Sequence, residues 1–356
     1  MGEALDCRAP AIRHAVQTDP ALDALFLPFD DGQLPPPTGA VFLGARPGPA
    51  LQRWAHAGIA CEQDYRPPAA ALERNGFNIA AEEFMPPATF PLVLVLPPRQ
   101  REQARAMLAR AMKLAGDTGR VVACAANNAG ARSMQDDLAA VGGEVSVLSK
   151  HKCRVVWTEP GRAVSSVVDD WLALDAQRAI LGGDVLSRPG LFAWDRVDPA
   201  SALLAAHLPA DLAGRAADLG AGWGYLAIEL LSRNPGVITL DAFEAQRRAL
   251  PLLAHNLARF APRVAIDTHW ADVTAGIDGR FDVIVSNPPF HADDRMDRPD
   301  LGRRFIEVAA GALNPGGRFF MVANRHLPYE ATLTSVFREV RVLADARGFK
   351  AFEARR

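Results

Sequence analysis

Short apolar runs that stop at Gly, Pro, Asn or an acidic residue alternate along this chain with segments of helical spacing. In the C-terminal half, Phe281-Asp282-Val283-Ile284-Val285-Ser286 reads as a buried strand that stops at Asn287. A short strand runs into Leu219, Val237 to Phe243 reads as a parallel strand ending at Glu244, and another near His269-Trp270 ends at Asp272. Arg318 to Val322 reads as a further strand, and Val340–Leu343 with Lys350–Glu353 as a closing antiparallel pair. Helices are predicted after Gly224, after Glu244 through Ala249, Leu250 and Leu253, and from about Pro299, where Phe305, Ile306, Val308, Ala309 and Leu313 repeat at helical spacing. Asn314-Pro315-Gly316-Gly317 reads as a turn. A β/α alternation of this kind predicts an α/β fold, a mostly parallel sheet with helices on both faces, and such sheets bind ligands at the carboxyl ends of their strands.

The N-terminal half repeats the pattern in worn form. Phe90 to Pro98 aligns without gaps on Phe281 to Pro289, with Leu96 in place of Asn287. Val41 to Gly48 aligns on the segment around Gly220, with Phe42 at Asp218 and Arg46 at Gly222. Gly119-Arg120-Val121-Val122 matches Gly317-Arg318-Phe319-Phe320. Strands kept and polar residues lost predict two tandem Rossmann-like domains, the N-terminal one degenerate and without a cofactor site. The expected boundaries are 1–160 for the degenerate domain, 161–185 for the linker and 186–356 for the functional domain. The stretch from Glu159 to about Gly183 holds Trp171-Leu172-Ala173-Leu174, which predicts partial helix and packing. In the first domain Arg99, Arg101, Arg105, Arg132, Lys150, Lys152 and Arg154 are either phosphate contacts or a solvated charged face.

Asp218-Leu219-Gly220-Ala221-Gly222-Trp223-Gly224 is a glycine loop between a strand and the amphipathic Tyr225 to Leu231. Glycines let a ligand approach the main chain with no Cβ in the way. A dinucleotide loop wants G-x-G-x-x-G, but here the third glycine comes one residue early and Tyr225 stands where Gly or Ala is wanted. Asp218 would repel a pyrophosphate and suits an ammonium group. S-adenosylmethionine has an α-amino group, a ribose and no phosphate, so the loop favours it. Glu244, about 20 residues past the loop, is placed for the ribose hydroxyls, and Asp272 for the adenine amino group.

Asn287-Pro288-Pro289-Phe290 forms a rigid polar corner at a strand end. The Asn287 oxygen and the Pro288 carbonyl can both accept hydrogen bonds from an NH2 group on a planar system, Pro289 stiffens the turn, and the Phe290 ring can stack behind the plane. Such a grip aims a nitrogen lone pair at an electrophile, which predicts amino-group alkylation. His291 reads as structural or supporting rather than as a base.

On these motifs, residues 186–356 resemble class I S-adenosylmethionine-dependent methyltransferases. More narrowly they resemble the ribosomal RNA guanine-N2 methyltransferases typified by the small-subunit methyltransferase C and its large-subunit relative G. Gly190-Leu191-Phe192 through Asp198, Phe281 to His291, Asn314 to Gly317, Val322-Ala323-Asn324 and Leu327-Pro328-Tyr329 carry the resemblance, and Ser149 to Val155 extends it into the N-terminal half. It implies methyl transfer to the exocyclic N2 amine of a guanine in ribosomal RNA. It also implies that Phe192 and Asp198 close over the cofactor. The family usually has an Asp followed by a small residue after the second strand, so Asp241 competes with Glu244 for the ribose, and Glu244 suits the following helix better. Gly220, Ala221, Gly222, Gly224 and Asn287 complete the expected cofactor contacts.

Composition limits the alternatives. The chain of 356 residues is 49% hydrophobic, enough for two cores. It has no apolar run of membrane-spanning length and no signal-peptide pattern at its start. Cys7, Cys61, Cys124 and Cys153 are scattered, as expected for reduced thiols, and no His/Cys cluster has metal-ligand spacing. A cytoplasmic monomer without metal, with ribosomal RNA or a ribosomal subunit as partner, is expected. The net charge of −2 counts against a nonspecific nucleic-acid binder, although one basic face suffices for phosphate contacts. A DNA adenine N6 or protein glutamine methyltransferase, an inert RNA-binding assembly protein and a nicotinamide oxidoreductase remain as rivals.

Overall fold

The computed structural model describes residues 19–160, 166–289 and 299–356. Two sheets follow one another. The first contains β1 (Val41–Leu43), β2 (Ala60–Glu62), β3 (Leu92–Val95), β4 (Arg120–Ala126), β5 (Val145–Lys150) and β6 (Cys153–Thr158) in the order β2-β1-β3-β4-β6-β5. A small hairpin of β7 (Arg178–Ile180) and β8 (Val185–Ser187) leads into the second sheet. That sheet contains β9 (Ala213–Leu219), β10 (Gly236–Glu244), β11 (Ala265–Trp270), β12 (Phe281–Ser286), β13 (Leu313–Asn324), β14 (Glu339–Ala346) and β15 (Phe349–Arg355) in the order β11-β10-β9-β12-β13-β15-β14.

The helices are α1 (Pro20–Asp30), α2 (Pro49–Gln52), α3 (Arg66–Arg74), α4 (Arg101–Ala115), α5 (Ala131–Gly142), α6 (Val167–Leu172), α7 (Pro199–Ala206), α8 (Tyr225–Arg233), α9 (Leu250–Leu257), α10 (Pro299–Ala312) and α11 (Glu330–Val336).

The two strand orders are the same apart from β11. In both sheets four or five parallel strands are closed by an antiparallel pair. In place of β11 the N-terminal sheet has, among the described residues, a single parallel bridge, Cys61 to Ile79, and so six strands there against seven in the other. The registers fix the repeat residue by residue. Phe42 pairs with Leu94 as Asp218 pairs with Val285, and Leu43 pairs with Glu62 as Leu219 pairs with Phe243.

Each sheet is coated on both faces. Two apolar clusters flank the N-terminal sheet and two flank the C-terminal one. Fully buried aromatic residues, Phe26 and Phe42 in the first and Phe281, Phe319, Phe320, Phe352 and Tyr329 in the second, fill the largest spaces. Each fully buried side chain of this kind contributes about 1.5–3 kcal/mol. Tyr329 lies against Gly302 of α10, where any Cβ would collide with its ring.

One sequence expectation changes and another holds. Asn314 to Gly317 is a bulge within one long strand: Phe281 pairs with Leu313 and Val283 with Arg318, and Gly316 has φ +79°. The stretch joining the halves is ordered where it is described. Its α6 packs on α4, and β8 packs on α9.

The domains meet at equivalent loops. Tyr65 and Gln246 form an antiparallel bridge. Arg66 N donates to Ala245 O at 2.8 Å and Arg247 N donates to Asp64 O at 2.7 Å. By the strand registers Asp64 corresponds to Ala245 and Arg66 to Arg247, so the contact is reciprocal, as in a two-fold dimer. Trp270 completes it. Its indole N–H donates to both carbonyls, Asp64 O at 3.0 Å and Ala245 O at 2.8 Å, and Arg66 and Arg247 lie over its ring at 4.8 and 4.4 Å.

Candidate active site

Glycine loop, Glu244, Asp272 and Asn287 stand at the carboxyl ends of β9, β10, β11 and β12, which the sheet order makes neighbours. The loop is anchored by its backbone. Gly220 N and Ala221 N both donate to Phe243 O, at 2.9 and 3.1 Å, and Gly224 N donates to Ala221 O at 2.9 Å. Gly224 has φ +101°, and a Cβ there would lie 2.8 Å from Leu253, so glycine is required for both backbone and packing. Gly222 has φ +56° and open space where a side chain would stand.

Glu244 closes the loop from the neighbouring strand. Its two oxygens accept from Gly222 N and Gln246 N, both at 2.7 Å. Burial pushes its carboxyl above the ordinary range, opposed by those backbone N–H groups. Asp241 lies three residues back, within the strand. It accepts from His269 Nε2 at 2.8 Å and faces Arg215 at 3.8 Å. Asp241 is thus engaged within the strand, whereas Glu244 holds the glycine loop.

Asp218 sits beneath the loop, 1% exposed. Oδ2 accepts from Ala227 N of α8 at 3.1 Å, whereas Oδ1 has no partner among the described residues. Burial, with Glu244 adding to it, pushes this carboxyl up to about 7. A buried carboxylate with one oxygen left without a partner is costly, and a cation brought to the loop would offset that cost. Asp272 holds its own strand end, since Oδ1 accepts from Thr274 N and Thr274 Oγ1 at 2.9 and 2.6 Å.

Asn287 is half-buried, and its main-chain carbonyl oxygen lies 3.9 Å from where a Gly220 Cβ would be. Its Nδ2 donates to Asp198 Oδ2 at 3.0 Å and to Ser201 Oγ at 2.8 Å. Its Oδ1 has no partner among the described residues. Pro288 is buried and Pro289 exposed. Phe290 and His291 lie outside the described residues, as does Cys7. Asp198 is the N-cap of α7 and accepts from Ser201 N at 2.8 Å, so its carboxylate is directed at Asn287. Ser201 was not signalled by the sequence pattern.

Phe192 is 65% exposed. It lies on a turn whose Ala193 carbonyl accepts from Trp223 Nε1 at 3.3 Å and whose Gly190 abuts Gln103 of α4. The turn thus sits beside the glycine loop and reaches the N-terminal domain.

The equivalent place in the N-terminal domain is differently filled. A cavity of about 240 Å³ beside Gly44 is lined by Glu62, Glu83, Arg110, Asp175, Arg188 and Arg248. Arg110 Nη1 donates to Glu62 at 2.9 Å, Arg188 pairs with Asp175 at 2.6 Å, and Arg248 pairs with both Glu83 and Asp175. Among the basic candidates Arg105 pairs with Asp137, Arg132 with Asp136 and Arg154 with Gln135, while Lys150 and Lys152 are exposed. Among the described residues no helix is long and apolar enough to cross a membrane, and no His/Cys/Asp/Glu cluster could hold a metal.

Comparison with known proteins fits this layout. Residues 182–353 match the family model described as methyltransferase small domain. A protein named ribosomal RNA small subunit methyltransferase C from Shewanella amazonensis is 36% identical over 186 residues, covering 52% of this chain and 53% of the relative. The chain therefore spans about half the length of that relative. One of the same name from Pectobacterium atrosepticum is 30% identical over 257 residues, 72% of each chain. The solved Thermus thermophilus 16S ribosomal RNA N2 G1207 methyltransferase, in complex with AdoMet and guanosine, is 24% identical, with a TM-score of 0.77 over 96% of this chain and 93% of that one. That likeness establishes a shared two-domain α/β fold. With the extent of the Pectobacterium match, it follows that the chain belongs to the ribosomal RNA small subunit methyltransferase C family.

Proposed function

We propose that the protein transfers a methyl group from S-adenosylmethionine to the exocyclic N2 amine of a guanine in ribosomal RNA of the small subunit. The observation that carries this reading is the Asn287 amide, held at the strand end beside the glycine loop with Oδ1 unpartnered among the described residues. The relatives are named as small-subunit ribosomal RNA methyltransferases, and the fold neighbour holds AdoMet and guanosine.

The residues present fit the cofactor. Open space over Gly222 admits it, Glu244 faces the ribose position, and the orphaned Asp218 oxygen suits its ammonium group. When bound, S-adenosylmethionine supplies an electrophilic sulfonium methyl. Asp272 marks the adenine end, and Phe192 lies on the turn that flanks the loop. Asn287 Oδ1 and the Pro288 carbonyl accept the two hydrogens of the guanine amine and so orient its lone pair. Phe290 is the stacking surface in this reading. Positioning and fixed dipoles then do the work without a strong general base. Because pairing hides the amine, the target base is single-stranded or flipped.

The domain limits in this reading are 1–160, 161–185 and 186–356, with cofactor bound only by the last, and the protein acts as a metal-free cytoplasmic monomer. The test is incubation with S-adenosylmethionine and undermethylated ribosomal subunits, followed by nucleoside mass spectrometry. N2-methylguanine is expected. N6-methyladenine or methylated protein glutamine would move the substrate assignment and leave the amine grip standing.

A further inference from the structure

We infer that Asp198 and Ser201 are positioning residues for methyl transfer: together they lock the Asn287 amide in the orientation that turns its oxygen toward the substrate amine. The inference rests on the reading of Asn287 given above.

An amide side chain presents two donors on one end and an acceptor on the other, and the two ends are similar in shape. Which end faces the substrate is therefore set by neighbours. Here Nδ2 spends its hydrogens on Asp198 Oδ2 at 3.0 Å and Ser201 Oγ at 2.8 Å. In the opposite orientation Oδ1 would stand against a carboxylate oxygen, acceptor against acceptor. Ser201 could tolerate that orientation, because a hydroxyl donates as readily as it accepts. Asp198 could not. The carboxylate thus sets the sense of the amide, and Ser201 fixes its angle. A charge-assisted bond to Nδ2 also polarises the amide and makes Oδ1 a stronger acceptor.

The N-terminal copy separates this role from helix capping. Its α1 corresponds to α7: each precedes the first strand of its sheet and packs on the equivalent strands, β4 and β6 or β13 and β15. Asp19-Pro20-Ala21-Leu22 then corresponds to Asp198-Pro199-Ala200-Ser201. Asp19 keeps the cap, accepting from Ala21 N and Leu22 N at 3.1 and 3.2 Å. Where Leu96 replaces Asn287, Leu22 replaces Ser201, and the Asp19 carboxylate turns to Arg46 at 3.1 Å. The cap survives without the amide, whereas the serine does not.

The experiment compares Asp198→Asn, Asp198→Ser, Ser201→Ala, Asn287→Ala and the Asp198→Asn/Asn287→Ala double variant in the full-length protein. Steady-state rates on undermethylated small ribosomal subunits and calorimetric cofactor affinity are measured for each. Asp198→Asn and Asp198→Ser both keep a side chain able to cap α7. Each is expected to lower kcat by about 10- to 100-fold, the range for one bond to a charged partner, with cofactor Kd unchanged within about twofold. Ser201→Ala, which leaves the Asp198 cap in place, should lower kcat by less. The double variant should be no slower than Asn287→Ala alone, because the two residues act as a unit. Wild-type kcat in both Asp198 variants, with Asn287→Ala inactive, would overturn the positioning role and leave the amine grip intact. So would a double variant slowed by the product of the single effects, or a loss confined to cofactor Kd. An active Asn287→Ala would instead overturn the reading of Asn287 itself.

Discussion

Where the C-terminal sheet ends its strands on Asp218, Glu244 and Asn287, the N-terminal sheet ends them on Phe42, Gln63 and Leu96. Phe42 and Leu96 are buried. Gln63 keeps the posture of Glu244: its Oε1 accepts from Tyr65 N at 2.8 Å, two residues on, as Glu244 accepts from Gln246 N at 2.7 Å. Its other end donates to Ala45 O at 2.7 Å. The bond to the residue two positions on has thus been kept, the bond to the loop has been remade with the side chain as donor, and the charge has been lost. At these three places the N-terminal copy presents two apolar side chains and an amide with both ends bonded, although Asp64 Oδ2 and Arg154 Nε elsewhere in it are buried without a partner among the described residues. The other holds at these places a buried carboxylate oxygen and an amide oxygen with no partner among the described residues, at a cost to its own stability. Unsatisfied groups in one copy, set against satisfied or apolar ones at equivalent places in the other, mark where a ligand is expected.

The comparison is tested most severely at Asn287. Replacement by Ala should lower kcat by about two to three orders of magnitude, as for loss of one preorganised polar group, with cofactor affinity nearly unchanged. Retained activity in a single-turnover assay would remove the functional meaning of the Asn287/Leu96 difference.

Next in size is Glu244→Ala, which should weaken S-adenosylmethionine by about 1.5–3 kcal/mol, the range for bonds to a charged group. Asp241→Ala, which removes a partner of His269, should change calorimetric affinity far less. The reverse ranking would move the ribose role to Asp241.

A smaller effect is expected from pH. Asp218 has a folded-state value of about 7, above its ordinary 3.8, so its protonated form is favoured in the free protein. Its contribution to stability is fully present below the unfolded value and is lost as pH rises through about 7. An ammonium ligand reverses the preference. Cofactor affinity should therefore rise with pH toward and through about 7, by at most about tenfold per unit, with proton release on binding near pH 6. Asp218→Asn should abolish both. An affinity independent of pH in the wild-type protein would count against Asp218 as the ammonium partner.

The smallest effect should come from the other copy. Gln63→Glu restores only one acid to the N-terminal sheet, and calorimetry should still give one cofactor per chain. A second bound equivalent would show that the copies differ less than their strand ends suggest.

Much of this was legible from residue patterns because it is local. Strands that stop at Gly, Asn or an acid, followed by helical spacing, specify the parallel sheet, and the loop and its acids fall at strand ends within a few residues of the motifs that announce them. The gapless alignment of Phe90 to Pro98 on Phe281 to Pro289 carried the repeat, and the strand registers agree with it. What was not legible depends on approach across the fold. Asp198 and Asn287 are 89 residues apart, and resemblance alone suggested a different job for Asp198. The repeated Asp-Pro-Ala at positions 19 and 198 was an available signal for equivalent helix caps. The β2 edge of the N-terminal sheet carries no counterpart of β11 among the described residues because its pairing there shrinks to the Cys61–Ile79 bridge, which no periodicity reveals.

The reciprocal bridge at Tyr65 and Gln246 has a consequence for how the chain can change in length. Surface connections ordinarily accept insertions and deletions. The turns after β2 and β10 are connections of that type, yet each is paired residue for residue with the other. One added residue in Asp64–Arg66 would displace a backbone donor from Ala245, lift a carbonyl from Trp270 and reverse the side-chain order along the bridge. The segment Ala245–Arg247 directly follows Glu244. The N-terminal domain is thereby held to a fixed residue count at this turn by the segment that closes its neighbour's glycine loop.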